Sequence, residues 1–103
     1  MYLNVFRSRK RADMDAEAYA ADDARMEALA AVQPGFVSYK YFFAPDGETV
    51  AISIWASEAD ARSWAAHPEH LAVQARGRAD YYQSYTMYTL SDPSVRHYER
   101  PQS

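Results

Sequence analysis

The histidines are the side chains of this sequence best suited to acid–base chemistry. There are three of them, and the 103-residue chain has no cysteine. An imidazole has an unperturbed pKa of about 6.5, so it can accept a proton near neutral pH. His70 is our first candidate for a catalytic base, and the alternative is that it only packs at the start of a helix. His67 is expected to cap that helix before Pro68, and His97 is expected to be exposed.

Aromatic side chains make up 15% of the residues, with nine tyrosines, four phenylalanines and two tryptophans. Trp64 could stack on a planar substrate, although a core position is the alternative. Tyr81, Tyr82 and Tyr85 could line a cavity, because a tyrosine packs its ring and hydrogen-bonds through its hydroxyl. Plain sheet packing is their alternative. Arg78 could hold a developing oxyanion, or it could lie in solvent.

Composition excludes several classes of protein. The formal net charge is −3 with a pI of about 5.5, so the basic face of a nucleic-acid-binding protein is not expected. Without cysteine there are no disulfides, Fe–S clusters or Cys-based zinc sites. His67, Glu69 and His70 do not have the spacing of a zinc-protease motif, and no metal site is expected. No apolar run approaches the ~20 residues that span a bilayer, and the first residues lack a signal-peptide pattern. We therefore expect no membrane partner and a cytoplasmic location.

Periodicity and turn residues predict four strands and three helical segments. Asp13 is expected to cap the first helix, Ser57 the second and His67 the third. Pro45, Asp46 and Gly47 form the turn of a hairpin. The predicted segments are a strand from Tyr2 to Arg9, a helix over 14–31, a hairpin over 36–55, helices over 57–66 and 68–76, and a strand from Asp80 to Leu90.

This order is the α+β, ferredoxin-like β-α-β-β-α-β arrangement, a four-stranded antiparallel sheet with helices on one face. Along the first helix, Tyr19 and Met26 belong to an apolar stripe, whereas Asp22 and Asp23 are expected to lie mostly outside it. Met26 and the later Met87 are expected in the core, as is Met14.

Apolar residues on both faces of the predicted sheet indicate a dimer. In the last strand, Tyr81, Tyr85 and Met87 are expected on one face, and Tyr82, Tyr88 and Leu90 on the other. In the second strand, Phe36 and Phe42 are expected opposite Val37, Tyr39, Tyr41 and Phe43. Helices can cover only one face, so a second subunit of a homodimer is expected to cover the other.

Several motifs together resemble the antibiotic biosynthesis monooxygenase domain family, whose fold is a dimeric α+β barrel. The stretch from Ile54 to Trp64 contains Trp55, Ser57, Glu58 and Trp64 in a W-x-S-E-x-x-x-x-x-W pattern. Gln33-Pro34-Gly35-Phe36 is similar to the turn that leads into the family's second strand, and Val95-Arg96-His97-Tyr98 to its C-terminal tail. The resemblance implies one domain over residues 1–98 and a tail over 99–103.

The resemblance also implies a function. Some members oxidise aromatic quinols with O₂ and use neither metal nor flavin. We therefore expect a cofactor-independent monooxygenase of a small aromatic phenol or quinol, with His70 as the base. Close relatives degrade haem, and there an axial histidine follows the tryptophan of Trp64 by ten residues. Here that position is Gln74, which argues against haem. The resemblance also assigns Asn4 to the site. The alternatives are a haem-binding or haem-degrading monooxygenase and a non-catalytic dimeric module that binds an aromatic metabolite.

Overall fold

The computed structural model of the protein describes residues 1–102, and its elements follow the predicted order. The sheet order is β2-β3-β1-β4, and the three pairings of neighbouring strands are antiparallel. The ferredoxin-like prediction is therefore confirmed. The elements are β1 (Tyr2–Lys10), α1 (Ala16–Ala31), β2 (Phe36–Phe43), β3 (Thr49–Trp55), α2 (Glu58–Ala65), α3 (Pro68–Arg76), a π-helical turn (Gly77–Tyr81) and β4 (Tyr82–Ser91). Residues 92–102 follow β4 without regular structure, and Ser103 of the predicted tail lies outside the described residues.

Helix caps follow the predictions with one correction. The carboxylate of Asp15, not that of Asp13, accepts a hydrogen bond from the N–H of Ala18 at 3.0 Å and caps α1. The Asp13 side chain pairs instead with Arg11, at 2.8 Å. A capping side chain must lie two or three residues before a free helical N–H, and only Asp15 has that place here. Ser57 caps α2 through the N–H of Asp60, as predicted.

The last strand begins later than predicted. Asp80 and Tyr81 belong to the π-helical turn, and β4 starts at Tyr82. The pairing of β4 with β1 also shifts by one residue between Arg9 and Lys10. These two features reverse the predicted face of Tyr82. Its ring packs against Phe6 and Tyr85, on the side of the sheet that the helices cover.

The covered face of the sheet carries the core. Trp55 is 1% exposed and packs with Tyr2, Met26 and Trp64. Phe36 joins this face, because the register shifts between Phe36 and Ser38, and its ring lies edge-on to Trp55. The predicted placement of Phe36 opposite Tyr39 is therefore wrong. Met26 is buried as expected, Met14 is only half-buried, and Met87 is 49% exposed because it borders a cavity rather than the core.

The other face of the sheet is apolar and open. By register and strand alternation, β1 contributes Leu3 and Val5 to it, and β3 contributes Ile52 and Ile54. Phe42, Tyr88 and Leu90 flank them and are 49%, 47% and 40% exposed. Within residues 1–102 none of the helices is both long and apolar enough to cross a membrane.

Candidate functional site

A cavity of about 350 Å³ lies between the helices and the sheet. Each residue predicted for the site borders it. From the sheet come Asn4 of β1 and Tyr82 and Tyr85 of β4; from the helical side come Trp64, His70, Arg78 and Tyr81. The volume is within the usual range for a small-molecule site, and nine of the residues that line it are phenylalanine, tyrosine or tryptophan. The structure thus brings the predicted residues together around one cavity.

The central feature of the cavity wall is the pair formed by Trp64 and His70. Their rings stack with centroids 4.3 Å apart and an interplanar angle of 14°. Trp64 is buried on α2 and packs on Trp55 at 6.5 Å, so the platform under His70 is fixed by the core. Pro68 starts α3 immediately after His67, whose Nδ1 accepts from the N–H of Glu69. This cap sets the first turn of α3 and with it the position of His70.

The hydrogen bond of His70 determines which of its nitrogens is free. Nδ1 lies 3.1 Å from the carbonyl oxygen of Trp64. A carbonyl can only accept, so we assign the proton to Nδ1, which leaves Nε2 as the unprotonated nitrogen. Burial lowers the pKa of His70 below 6.5, and the contact with the Trp64 carbonyl only partly opposes this effect. His70 is therefore neutral near pH 7 and holds a free base at Nε2.

Helix α1 places two aspartates on the cavity, contrary to the predicted stripe. Asp22 and Asp23 both border it. Asp22 is fully engaged: it accepts from Arg76 at 2.9 and 3.0 Å and from the hydroxyl of Tyr81 at 2.6 Å. The hydrogen bond from Arg76 lowers the pKa of Asp22. This network joins α1, α3 and the π-helical turn along one rim.

The pKa of Asp23 is shifted in the opposite direction from that of Asp22. Burial raises the pKa of Asp23, repulsion from Glu27 adds to this, and attraction to Lys10 only partly offsets it. No pattern in the sequence indicated this half-buried carboxylate, because α1 has no sharp division into apolar and polar faces. Tyr19 and Asp23 are four residues apart on α1 and therefore lie on the same face of the helix, and both border the cavity.

The tyrosine cluster closes the side of the cavity next to β4. Tyr82 packs edge-on against Phe6, with centroids 5.4 Å apart and an angle of 76°. Tyr19 packs edge-on against Tyr81 at 5.3 Å. Burial raises the pKa of Tyr82, so its hydroxyl is a neutral donor over the working pH range. Gly77 is buried beneath the ring of Tyr82.

Gln74 occupies the place at which haem-degrading relatives have their axial histidine. It borders the cavity, but its Nε2 donates to the carbonyl oxygen of Ala65 at 3.0 Å and ties α3 to the end of α2. Among residues 1–102, no three His, Cys, Asp or Glu side chains are grouped so that they could hold a metal ion.

Comparison with known proteins identifies the family. Residues 1–98 match the PB2B2.08-like family. The chain belongs to this family. It is also 36% identical over 69 residues to the uncharacterized protein YqjZ of Bacillus subtilis, a match that covers 67% of this chain. That match spans only 60% of the length of the curated relative.

Solved structures show the same fold. SnoaB of Streptomyces nogalater, a cofactor-independent oxygenase, superposes with a TM-score of 0.74 at 22% identity over 91% of this chain and 94% of SnoaB. A crystal structure of an antibiotic biosynthesis monooxygenase gives a TM-score of 0.77 at 14% identity over 91% of this chain and 100% of the other. The resemblance to the antibiotic biosynthesis monooxygenase domain is therefore confirmed at the level of the fold.

Proposed function

We propose that the protein is a cofactor-independent monooxygenase that oxidises a small planar phenol or quinol with O₂. The observation that carries the proposal is the position of His70, whose imidazole stacks on Trp64 in the cavity wall and whose Nδ1 lies 3.1 Å from the carbonyl oxygen of Trp64. The fold it shares with SnoaB, itself a cofactor-independent oxygenase, supports the same reaction class.

The chemistry follows from the free nitrogen of His70. Nε2 takes the phenolic proton, and the imidazolium that forms lies over the face of Trp64, which stabilises a cation. The phenolate places negative charge on the ring carbon para to its oxygen. That carbon passes an electron to O₂, and recombination gives a hydroperoxide that loses water. A phenol with hydrogen at that carbon and one O₂ thus yield a quinone and water, with no external reductant.

Other predicted residues serve the substrate. Tyr82 and Tyr85 border the cavity, and a tyrosine hydroxyl can donate to a developing carbonyl. Asn4 lies on the floor formed by β1 and offers an amide donor and acceptor. Arg78 is the guanidinium among the cavity residues and can stabilise the phenolate oxygen.

An oxygen electrode tests the proposal. α-Naphthol and related naphthols are added to the protein in air, and oxygen uptake is compared with quinone absorbance. His70→Ala is expected to lower the rate about 100-fold, in the range of general-base catalysis. His97→Ala, which removes an exposed histidine of the irregular tail, is the matched control and should leave the rate unchanged. Unchanged turnover in His70→Ala would remove His70 from the mechanism.

Two other functions give different results in related assays. A non-catalytic binding module would bind naphthols without oxygen uptake. A haem-degrading protein would give a saturable Soret shift that decays when a reductant is added in air. The haem alternative has little support, because the Gln74 amide nitrogen already donates to the Ala65 carbonyl and an amide is a poor iron ligand.

We further propose that the protein is a homodimer in which the open sheet faces pack together. Leu3, Val5, Ile52 and Ile54 form the apolar centre of this face. Light scattering at micromolar concentration is expected to give twice the mass of 11.7 kDa. Ile52→Asp should give the single-chain mass, because it would bury an unpaired carboxylate. Val32→Asp, at an exposed position after α1, is the control, and a single-chain mass for the unmodified protein would contradict the proposal.

A further inference from the structure

The proposed reaction gives no role to two carboxylates that border the cavity, Asp23 and Glu27, and Asp23 is the more buried of the two. Asp22 is occupied by Arg76 and Tyr81, but Asp23 is not held in this way. Asp23 is half-buried, and the causes that shift its pKa are burial and neighbouring charges, with no hydrogen bond among them. An ionised carboxylate in such a place is stabilised by any donor that reaches it.

The groups around Asp23 do not satisfy it. Lys10 is the nearest cation, but its Nζ donates to the hydroxyl of Thr49 at 2.8 Å and lies 5.1 Å above the ring of Tyr19. Glu27, one turn further along α1, repels Asp23. Burial is the main cause that raises the pKa of the Tyr19 and Tyr39 hydroxyls. The negative charge of Asp23 raises the pKa of both hydroxyls further.

The cavity wall carries more acidic than basic side chains, which also favours a hydrogen-bond donor near Asp23. Among the described residues, Asp22, Asp23 and Glu27 border the cavity, and Arg78 is their one cationic counterpart. Because Asp22 is neutralised by its arginines, the excess negative charge is concentrated near Asp23. An acidic substituent of a ligand is repelled there, and a donor is attracted.

Asp23 and His70 belong to different ends of the cavity. His70 stacks on Trp64, which packs on Trp55 beside the start of β1. Asp23 stands one turn after Tyr19 on α1, and the ring of Tyr19 lies 5.1 Å from Nζ of Lys10, at the opposite end of β1. A planar ligand with its phenol at His70 therefore extends its far ring along the cavity in the direction of Asp23.

We infer that Asp23 is a specificity-determining residue, and that the preferred substrate is a fused-ring phenol with a hydroxyl or amino group on the ring remote from His70 and no acidic group there. This inference rests on the proposed function for the position of the phenol, but it concerns binding and is tested without turnover.

Calorimetric titration of three naphthols of matched shape tests the inference. Each carries the same phenol, and the second ring bears a hydroxyl, an amino or a carboxylate group. The unmodified protein should bind the hydroxyl and amino compounds at least about tenfold more tightly than the acid, a difference of ~1.4 kcal/mol. Asp23→Asn, which keeps the shape, should reduce this ratio to about twofold. Glu17→Gln removes an exposed acid of α1 outside the cavity and should leave the ratio unchanged.

Each outcome is decisive. Equal affinity of the unmodified protein for all three naphthols would overturn the inference, as would equal changes in Asp23→Asn and Glu17→Gln, which would indicate only a long-range effect of net charge. Failure of all three compounds to bind would count against both the inference and the proposed function. Oxygen uptake without preference for the hydroxyl and amino compounds over the acid would support the proposed function and overturn the inference about Asp23. That preference without oxygen uptake would support the inference and count against the proposed function.

Discussion

Replacing Gly77 with alanine is expected to move the ring of Tyr82 and reshape the cavity. A Cβ at position 77 would lie 2.7 Å from Cε2 and 3.1 Å from Cδ2 of Tyr82. Ordinary contact begins at 3.4 Å, so the ring edge must retreat by about 0.7 Å. Phe6 and Tyr85 pack on the same ring, with centroids at 5.4 and 5.8 Å, and they restrict this movement.

Two effects of opposite sign determine the stability of this variant. Overpacking costs roughly 1–3 kcal/mol of the free energy of unfolding. Gly77 has helical backbone angles, φ −57° and ψ −50°. Its replacement by alanine, a better helix former, should therefore increase the free energy of unfolding by about 1 kcal/mol. We expect a net loss of about 1 kcal/mol, which lowers Tm by ~4–8 °C in a domain of this size. Naphthol affinity should fall as well, because Gly77 and Tyr82 both border the cavity and the added methyl group changes its wall.

Thermal unfolding at a fixed protein concentration measures the change, since association would itself shift Tm. Ala75→Gly on the exposed side of α3 is the control for helix propensity alone. In a Tyr82→Ala background the clash is absent, and Gly77→Ala should then stabilise by about 1 kcal/mol. A stabilising effect of Gly77→Ala in the unmodified protein, or the same effect in both backgrounds, would refute the steric argument.

Three further predictions concern charge. Burial lowers the pKa of His70, and the neutral form of His70 is the base. The value of kcat/KM should therefore stay level as pH falls through 6.5 and drop only at lower pH. A drop centred above pH 6.5 would contradict this prediction. Asp22→Asn should cost about 1 kcal/mol at pH 7, measured by urea unfolding, a modest value because Arg76 is 40% exposed. The pKa of Asp22 is lowered, so this cost should be present above pH 3.8 and vanish as pH falls through the folded-state pKa. The pKa of Asp23 is raised above 3.8, so Asp23→Asn should raise Tm at pH 7. That advantage should fade as pH falls from the folded-state pKa to 3.8, and a lower Tm at pH 7 would show that the carboxylate is stabilising.

The elements of the fold were predictable because their signals are local. Ser57 has an N–H donor three residues ahead, and His67 stands directly before a proline, so each cap follows from neighbouring residues. The first cap was misassigned because Asp13 and Asp15 offer the same local signal. The pairing of Asp13 with Arg11 depends on the path of the loop between β1 and α1.

The start of β4 was not predictable from the sequence. The run from Asp80 to Tyr85 is rich in β-favouring tyrosines, but the π-helical turn takes Asp80 and Tyr81. The hydroxyl of Tyr81 donates to Asp22, 59 residues away, and this contact favours the helical turn. The β-propensity of neighbouring residues carries no information about a contact so distant in sequence. The wrong start of β4 also reversed the predicted face of Tyr82.

The sequence by itself determined the order of elements and the presence of apolar residues on both faces of the sheet, because side-chain periodicity and turn chemistry act over a few neighbours. The candidate site residues followed from their side-chain chemistry and from the family resemblance, and neither predicted that Asp22 and Asp23 border the cavity. Strand alternation had placed the ring of Tyr82 on the opposite face of the sheet. Only the tertiary structure decided the properties of individual groups. His70 became a neutral base through the Trp64 carbonyl and the surrounding burial. Asp23 became a half-buried carboxylate because of the packing of α1 over the sheet. A pKa depends on desolvation and on charges from distant segments, and these exist only once the chain has folded.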